Sequence, residues 1–496
     1  MYFTSENLLM VGSVLVFTAV ILSRTGYKFG IPALLVFLTV GMAFGSDGVG
    51  LVFNNYRQAQ FVGITALSVI LFTGGMETNV SSIRPVLKQG IMLSTIGVFL
   101  TVLFTGLFIF YLTRIERISL PLSIVMCFLM AAVMSSTDSA SVFSILKNSK
   151  MRLKENLQPL LEFESGSNDP VAFVINIVLI KSARILFDPS SVNGINYGSL
   201  VLSAGATLLM QIIFGAALGV GIGFLTVWIM RRVRLSTALY AIMLLSVGFF
   251  TFSVTELCEG NGYLAVYIAG LIIGNKPLEN KKEILKFLDG MTWLMQIGMF
   301  LTLGLLVNPH DMMKVAPVAL LIGVFLIFIG RPLAVFLSLI PFRNFSFRSK
   351  IFTSWVGLKG AVPIIFATYP IVNEIPGSEQ IFNIVFFITL LSMILQGMTI
   401  PKVAKWLHLA LPPSAKPDTF GIEIPEEAGK MIGHTLTNED LSEGNTLKEV
   451  NLPENARVVI IKRDKKFIVP DGSVHLKAGD KLLMIRSGDD SSQASS

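Results

Sequence analysis

The stretch Leu161-Glu-Phe-Glu-Ser-Gly-Ser-Asn-Asp-Pro170 decides how this chain is read. It opens a long apolar run, Val171 to Ile180, so three carboxylates and an amide enter the start of a predicted membrane-spanning helix. A charge at mid-bilayer costs at least about 2.5–3.5 kcal/mol. Ionisable groups at such depth face a water-filled cavity or pair with one another, and they mark ion or proton pathways. At 3.6 residues per turn, Ser165 and Asp169 stack at i,i+4, and Glu164 and Asn168 form the neighbouring row. Two oxygen pairs on adjacent rows make a site for a small cation or a proton. The competing reading is a helix that begins at the membrane surface with an acidic first turn, which the macrodipole favours. That reading suits Glu162, nearest the end, far better than Asp169.

The composition around this stretch agrees with a membrane setting. The 496 residues are 53% hydrophobic and 14% charged, with a mean hydropathy of +0.70. A soluble domain carries roughly 25% charged residues, so the chain reads as a polytopic membrane protein embedded in a lipid bilayer. Its formal net charge of +7 does not imply nucleic acid as a partner, because the basic residues are spread among short connections. Cys127 and Cys258 sit in or beside apolar runs and offer no disulfide framework. His310, His408, His434 and His475 are scattered and suggest no metal centre. The first apolar run follows only Met1 to Asn7, without a basic leader, and reads as a retained helix.

A helix needs about 20 mainly apolar residues to span the hydrocarbon core. Thirteen segments qualify, centred on Val16, Val40, Ser68, Phe99, Met130, Ile175, Phe214, Leu245, Ala269, Phe300, Val324, Ile364 and Thr389. The second and ninth, around 31–46 and 261–275, are short and glycine-rich. Lys and Arg in the connections set the orientation. One alternating set carries Arg24, Lys28, Arg84, Lys88, Lys147, Lys150, Arg152, Lys154, Arg231, Arg232 and Arg234, then Lys276, Lys281, Lys282, Lys286, Arg343, Arg348, Lys350, Lys402 and Lys405. The other carries Arg57, Arg114, Arg117, Lys181, Arg184 and Lys314. The imbalance places the amino terminus outside and the carboxyl terminus in the cytoplasm, as an odd number of spans requires.

The last span ends near Pro401, and Leu411-Pro-Pro-Ser-Ala-Lys-Pro reads as a linker. Beyond it, Val458-Val-Ile-Ile-Lys-Arg-Asp, Lys466-Phe-Ile-Val-Pro and Lys481-Leu-Leu-Met-Ile are β-rich runs separated by Asp471-Gly and Ala478-Gly-Asp turns. The expected organisation is a transmembrane domain over 1–405, a linker over 406–419, a small cytoplasmic α+β domain over 420–488 and a disordered tail over 489–496.

Two more apolar spans are interrupted. The fifth carries Ser135-Ser-Thr-Asp-Ser-Ala-Ser141, whose hydroxyls compete for backbone hydrogen bonds and allow unwinding. The twelfth carries Val356-Gly-Leu-Lys-Gly-Ala-Val-Pro363, where two glycines and a proline weaken the helix around Lys359. Broken helices at corresponding places in two halves point to the binding site of a secondary transporter. If the two breaks cross, Asp138 offsets the two positive half-helix ends and Lys359 the two negative ones. The plainer reading of a Ser/Thr run is close packing by small residues, but it leaves Asp138 and Lys359 unexplained. Arg331, between Phe325-Leu-Ile-Phe-Ile-Gly and Pro332-Leu-Ala-Val-Phe, cannot deprotonate and needs an acid, for which Glu164 is the candidate. Snorkelling to the membrane surface is the alternative.

Glu164-Ser-Gly-Ser-Asn-Asp169, the Ser-Thr-Asp-Ser run at 136–139 and Gly357-Leu-Lys-Gly360 resemble the monovalent cation–proton antiporter superfamily in its NhaP-like branch, over about 1–405. Leu447-Lys-Glu-Val-Asn-Leu-Pro, Ile468-Val-Pro and Leu476-Lys-Ala-Gly-Asp resemble a TrkA-C (RCK-C) domain. The pairing is similar to bacterial potassium/proton antiporters of the cell-volume-regulation kind, which act in pH homeostasis. The resemblance implies an inverted-repeat, all-α fold with two crossed broken helices, a core domain and a dimerisation domain in a homodimer of the inner membrane. It implies Asp169 as the shared cation and proton carboxylate, Thr137 and Ser165 as supporting ligands, Asn168 as the residue that orients the site, and a Glu164–Arg331 ion pair. Lys359 departs from the usual Gly-Leu-Arg-Gly, keeping the charge and losing the planar fork.

The implied chemistry is competition for one carboxylate. Translocation only when the site is loaded gives exchange of K⁺, or alternatively Na⁺, for H⁺, with no cofactor. Electrogenic relatives carry two acids where this chain has Asn168 and Asp169, so one proton per cation is expected. A channel regulated by the cytoplasmic domain would need a filter such as Thr-Val-Gly-Tyr-Gly, which is not in the sequence. A sensor with an inert transporter part does not explain Asp138, Asn168 and Asp169. An enzyme lacks any nucleophile–base set. The cytoplasmic domain is expected to bind a small ligand such as a nucleotide.

Overall fold

The computed structural model describes residues 5–28, 31–115, 122–138, 141–142, 145–146, 149, 151–187, 197–233, 235–278, 280–342, 345–411, 431–437, 440–441, 444–447, 449–450, 456–463, 466–472 and 474–486. Arg117, Ser139, Lys147, Lys150, Arg234, Arg343, the linker from 412 onward and the tail 489–496 lie outside the described residues. The chain divides into two compact units, Met1–Pro412 and Pro413–Ser496.

The first unit is helical. In chain order it comprises α1 Ser5–Lys28, α2 Ala33–Phe44, α3 Tyr56–Glu77, α4 Val80–Thr113, α5 Ile124–Val133, α6 Leu157–Phe187, α7 Tyr197–Arg232 and α8 Thr237–Leu257. There follow α9 Gly262–Gly274, α10 Lys281–Leu306, α11 Pro309–Ser338, α12 Phe347–Trp355, α13 Ala361–Val372, α14 Ser378–Gly397 and α15 Ile400–Trp406. Every one of the thirteen predicted centres falls inside a helix. By length and composition, eight of the described helices can cross a membrane, and five apolar ones are shorter, so the number of full crossings is not fixed at thirteen.

Side-chain caps start several of these helices. Ser123 Oγ accepts from the Met126 amide at the start of α5, and Asn261 Oδ1 accepts from the Leu264 amide at the start of α9. Small residues then let helices approach closely, since lipid supplies no hydrophobic drive for them to associate. α3 and α9 touch backbone to backbone, and a methyl group on Gly270 would collide with the Phe72 carbonyl oxygen. This rigid pair lies beside α6, which carries the acidic stretch.

The two interrupted spans form as the sequence predicts. α5 stops at Val133, the chain runs non-helically from Met134 through Asp138, and residues 141–142 are helical. α12 stops at Trp355, and α13 starts only at Ala361. The Asp138 amide donates to the Leu358 carbonyl at 2.8 Å, so the two breaks cross in contact.

The helical unit continues past Lys405. Leu407 and Leu409 are buried, and a short strand β2 (Ala410–Leu411) pairs antiparallel with β1 (Arg152–Leu153). The second unit contains β3 Met431–Thr435, β4 Ala456–Arg463, β5 Lys466–Ile468 and β6 Lys481–Arg486, in one antiparallel sheet of order β3-β6-β4-β5. Its core is Leu436, Val450, Ile461, Leu476, Leu482 and Met484. The three β-rich runs read from the sequence fall on β4, β5 and β6. An α+β domain is expected there, and the described residues of this unit contain no helix.

Candidate functional site

α6 carries its polar residues inward on a helix that contains Pro170. Proline has no N–H, so the Gly166 carbonyl loses its helical donor, and the strand of backbone next to Asp169 is freed from part of the usual ladder. Asn261 Nδ2 donates to the Pro170 carbonyl at 2.7 Å and ties this part of α6 to the start of α9. Glu164, Ser165, Asn168 and Asp169 are all buried, at 2%, 5%, 0% and 5% exposure. Unpaired charge at that depth is not tolerated, so each group must have a partner or a cargo.

The partners come from the crossing. Ser136 Oγ donates to Asp169 Oδ1 at 2.5 Å. Ser165 Oγ donates to the Thr137 carbonyl at 2.6 Å, and Asn168 Nδ2 donates to Thr137 Oγ1. The i,i+4 rows therefore behave differently from each other. Asn168 does reach Glu164 within its row, with Nδ2 3.4 Å from Oε1. Ser165 turns its hydroxyl to the fifth-span break, and the hydroxyl on Asp169 is Ser136. Ser136 and Thr137 on one side and Ser165, Asn168 and Asp169 on the other thus converge into one oxygen-rich cluster, with Asp138 next along the chain.

The two breaks supply the electrostatics. The Asp138 carboxylate accepts from the Ser141 amide at 3.1 Å and from the Ser141 hydroxyl, on helical residues beyond the break. Lys359 Nζ donates to the Ser136 carbonyl at 2.9 Å, with the Ser135 carbonyl at 3.5 Å, just beyond the carboxyl end of α5. Each charge faces the half-helix end of opposite partial sign. A methyl group on Gly360 would collide with the Asp138 carboxylate, so glycine there is what lets the two breaks meet.

Arg331 Nη2 lies 2.5 Å from Glu164 Oε1, with both side chains at most 3% exposed. A π-helical turn at Leu326–Gly330 immediately precedes Arg331. Such turns insert one extra residue and are frequent at functional sites. Glu162 lies apart from this cluster. Its Oε1 accepts from Gln158 at 3.4 Å, and it borders a cavity of about 280 Å³ together with Glu77, Asn79 and Arg152.

Three buried polar residues of this region were not singled out from the sequence. Ser136 adjoins Thr137 in the same run, and nothing in the spacing says which hydroxyl reaches Asp169. Asn176 Nδ2 donates to the Phe366 carbonyl at 3.2 Å and joins α6 to α13. Gln396, fully buried near the end of α14, bonds to the Trp355 carbonyl. An amide inside an apolar span was the available signal for the last two.

Comparison with known proteins accords with this geometry. Residues 13–406 match the family described as sodium/hydrogen exchanger, transmembrane, and residues 426–496 match the TrkA-C domain. The chain is similar to the K(+)/H(+) antiporter NhaP2 of Shewanella sp. (strain ANA-3), with 37% identity over 483 residues, 97% of this chain and 81% of that protein. It is also similar to the Na(+)/H(+) antiporter NhaH of Halobacillus aidingensis, at 28% over 335 residues, 65% of this chain and 77% of that protein. The solved structure of the sodium proton antiporter MjNhaP1 from Methanocaldococcus jannaschii at pH 8 shares the fold, with a TM-score of 0.68 at 22% identity over 81% of this chain and 99% of that one. Two crossed broken helices around buried carboxylates, and a family match along nearly all of the helical unit, lead to one conclusion: the chain belongs to the sodium/hydrogen exchanger family, as a multi-pass membrane cation–proton antiporter, not an enzyme, with a TrkA-C domain after its helices.

Proposed function

We propose that the chain exchanges K⁺ for H⁺, one for one, with Asp169 as the carboxylate that holds either the cation or the proton. The observation that carries this reading is the pairing of one buried acid with one engaged amide. Asp169 receives the Ser136 hydroxyl, while its neighbour Asn168 is held by Thr137 and Glu164 and has no proton to exchange. Ser165, Thr137 and Asp138 line the same cluster as supporting oxygen donors. Glu164 and Arg331 brace α6 against α11, and Asp138 and Lys359 balance the half-helix ends. K⁺ is favoured over Na⁺ because the relatives named for K⁺ align with nearly all of this chain at higher identity than the relative named for Na⁺. Na⁺/H⁺ exchange on the same fold is the second reading.

The distribution of Lys and Arg supports an external amino terminus and a cytoplasmic carboxyl terminus in a bacterial cytoplasmic membrane. The C-terminal domain then regulates exchange from the cytoplasm through a small ligand such as a nucleotide, in a homodimer. The test is exchange in reconstituted vesicles, with K⁺ and Na⁺ compared side by side at zero and at 100 mV imposed potential. A second proton per cycle would couple to voltage at about 2.3 kcal/mol per 100 mV. One-for-one exchange predicts driving forces that do not change with the potential. A potential-dependent equilibrium removes the stoichiometry, and equal half-saturation for both cations removes the preference.

A further inference from the structure

In an unbroken helix the Lys359 amide would donate to the Trp355 carbonyl four residues back. The break between α12 and α13 separates these two groups; the Lys359 amide is buried, Trp355 is half-buried, and each needs a new partner. Two side chains of α14 complete the connection. The Lys359 amide donates to Ser392 Oγ at 2.9 Å, Ser392 Oγ donates to Gln396 Oε1 at 2.5 Å, and Gln396 Nε2 donates to the Trp355 carbonyl at 2.8 Å. The lost helical hydrogen bond is thus replaced by a relay of three, with every donor and acceptor used in the correct sense. Ser392 and Gln396 are 0% and 1% exposed. α14 changes to a π-helical turn over Met393–Gly397, directly after Ser392 and across Gln396. A second bond fixes the same residue, since the Trp355 indole Nε1 donates to Thr399 Oγ1 at 3.0 Å.

The relay ends on the residue that faces the exchange site. Lys359 Nζ sits on the Ser136 carbonyl, and the Ser136 hydroxyl sits on Asp169. We propose that Ser392 and Gln396 are positioning residues for cation–proton exchange, a splint that holds the α12–α13 break open and so keeps Lys359 on Ser136 and Ser136 on Asp169. The proposal rests on Asp169 as the exchanging carboxylate. A buried polar network of this kind acts as one unit, so breaking it at either residue has the same consequence.

Ser392→Ala and Gln396→Met each break the relay, whereas Ser392→Thr keeps the hydroxyl. In vesicles containing the full chain, the first two variants are expected to raise the half-saturating cation concentration about tenfold and to shift the pH profile, as loss of a buried hydrogen bond implies. Ser392→Thr should stay within about twofold, and the double variant should be no worse than the worse single one. Unchanged half-saturation and pH profile in both single variants would overturn the proposal, as would additive losses confined to maximum rate. Hydrogen–deuterium exchange of the wild-type protein gives a readout independent of transport and of how the variants fold. The Lys359 amide should be protected although it lies outside any helix, and an unprotected amide would overturn the splint. Asp169→Asn run alongside separates the two ideas: persistent exchange there refutes the Asp169 reading, while amide protection still decides the relay.

Discussion

Arg331 and Glu164 offer the sharpest test of how α6 is held. The pair is closed at 2.5 Å and almost fully buried, and among the described residues Glu164 also accepts a long hydrogen bond from Asn168 at 3.4 Å. Replacing Arg331 by Gln leaves the buried Glu164 carboxylate without its ion-pair partner, which typically costs about 3–5 kcal/mol. Replacing Glu164 by Gln strands the guanidinium, whose Nε and Nη1 already lack partners among the described residues, at a similar cost. Independent sites would sum to about 6–10 kcal/mol in the double variant. A true pair predicts a double variant no less stable than the worse single one, because both charges are gone together. Thermal melts of the full chain in detergent provide the comparison. A drop in midpoint for the double variant equal to the sum of the two single drops would refute the pairing and the role assigned to it.

Gly360→Ala should abolish exchange while the protein stays folded, because its methyl group meets the Asp138 carboxylate; Gly290→Ala, where a methyl group has nothing within 4 Å, should exchange as wild type in the same vesicle assay. Truncation after Leu411 should leave a folded antiporter with altered pH or ligand dependence, while truncation after Lys405 removes β2 and the buried Leu407 and Leu409 and should melt lower. An unchanged pH profile after the first cut, with the dimer intact by size exclusion, would end the regulatory reading. In the C-terminal unit, burial pushes the Asp480 carboxyl up, but Arg463 Nε at 2.8 Å and Nη2 at 2.7 Å, with the Lys477 amide, outweigh it and hold it below the usual carboxylate range. An acid held low stabilises the fold above its unfolded value, about pH 3.9, and that contribution is lost as pH falls further. Asp480→Asn should therefore speed amide exchange in β6 at pH 7, with the difference from wild type holding down to about pH 4 and shrinking only below it.

Much of the site was legible because it consists of polar groups where polar groups are costly. Asp138, Asp169, Arg331 and Lys359 stand out in apolar runs, and the energy of burying them forces a search for partners. The breaks were legible for a related reason, since Ser-Ser-Thr-Asp-Ser and Gly-Leu-Lys-Gly-Ala-Val-Pro cannot continue a stable helix. Pairings set by tertiary contact were not legible. Helical spacing places Ser165 beneath Asp169, yet the Thr137 carbonyl captures Ser165 and Ser136 takes the carboxylate. The strand pair Arg152–Leu153 with Ala410–Leu411 joins residues far apart in sequence, and two-residue strands carry no periodicity. The π-helical turns at Leu93–Gly97, Leu326–Gly330 and Met393–Gly397 look like ordinary apolar helix in sequence, because an inserted residue changes register without changing composition.

In the proposed exchange one carboxylate, Asp169, carries both substrates. Asparagine has nearly the same shape, keeps a hydrogen-bond acceptor for Ser136, and holds neither a proton nor a net charge at any physiological pH. The direct measurement is cation-driven proton flux in vesicles reconstituted with Asp169→Asn, alongside its thermal melt. A wild-type-like melt and no K⁺- or Na⁺-dependent proton movement are expected. Proton flux retained at a comparable rate in the folded variant would contradict this role of Asp169.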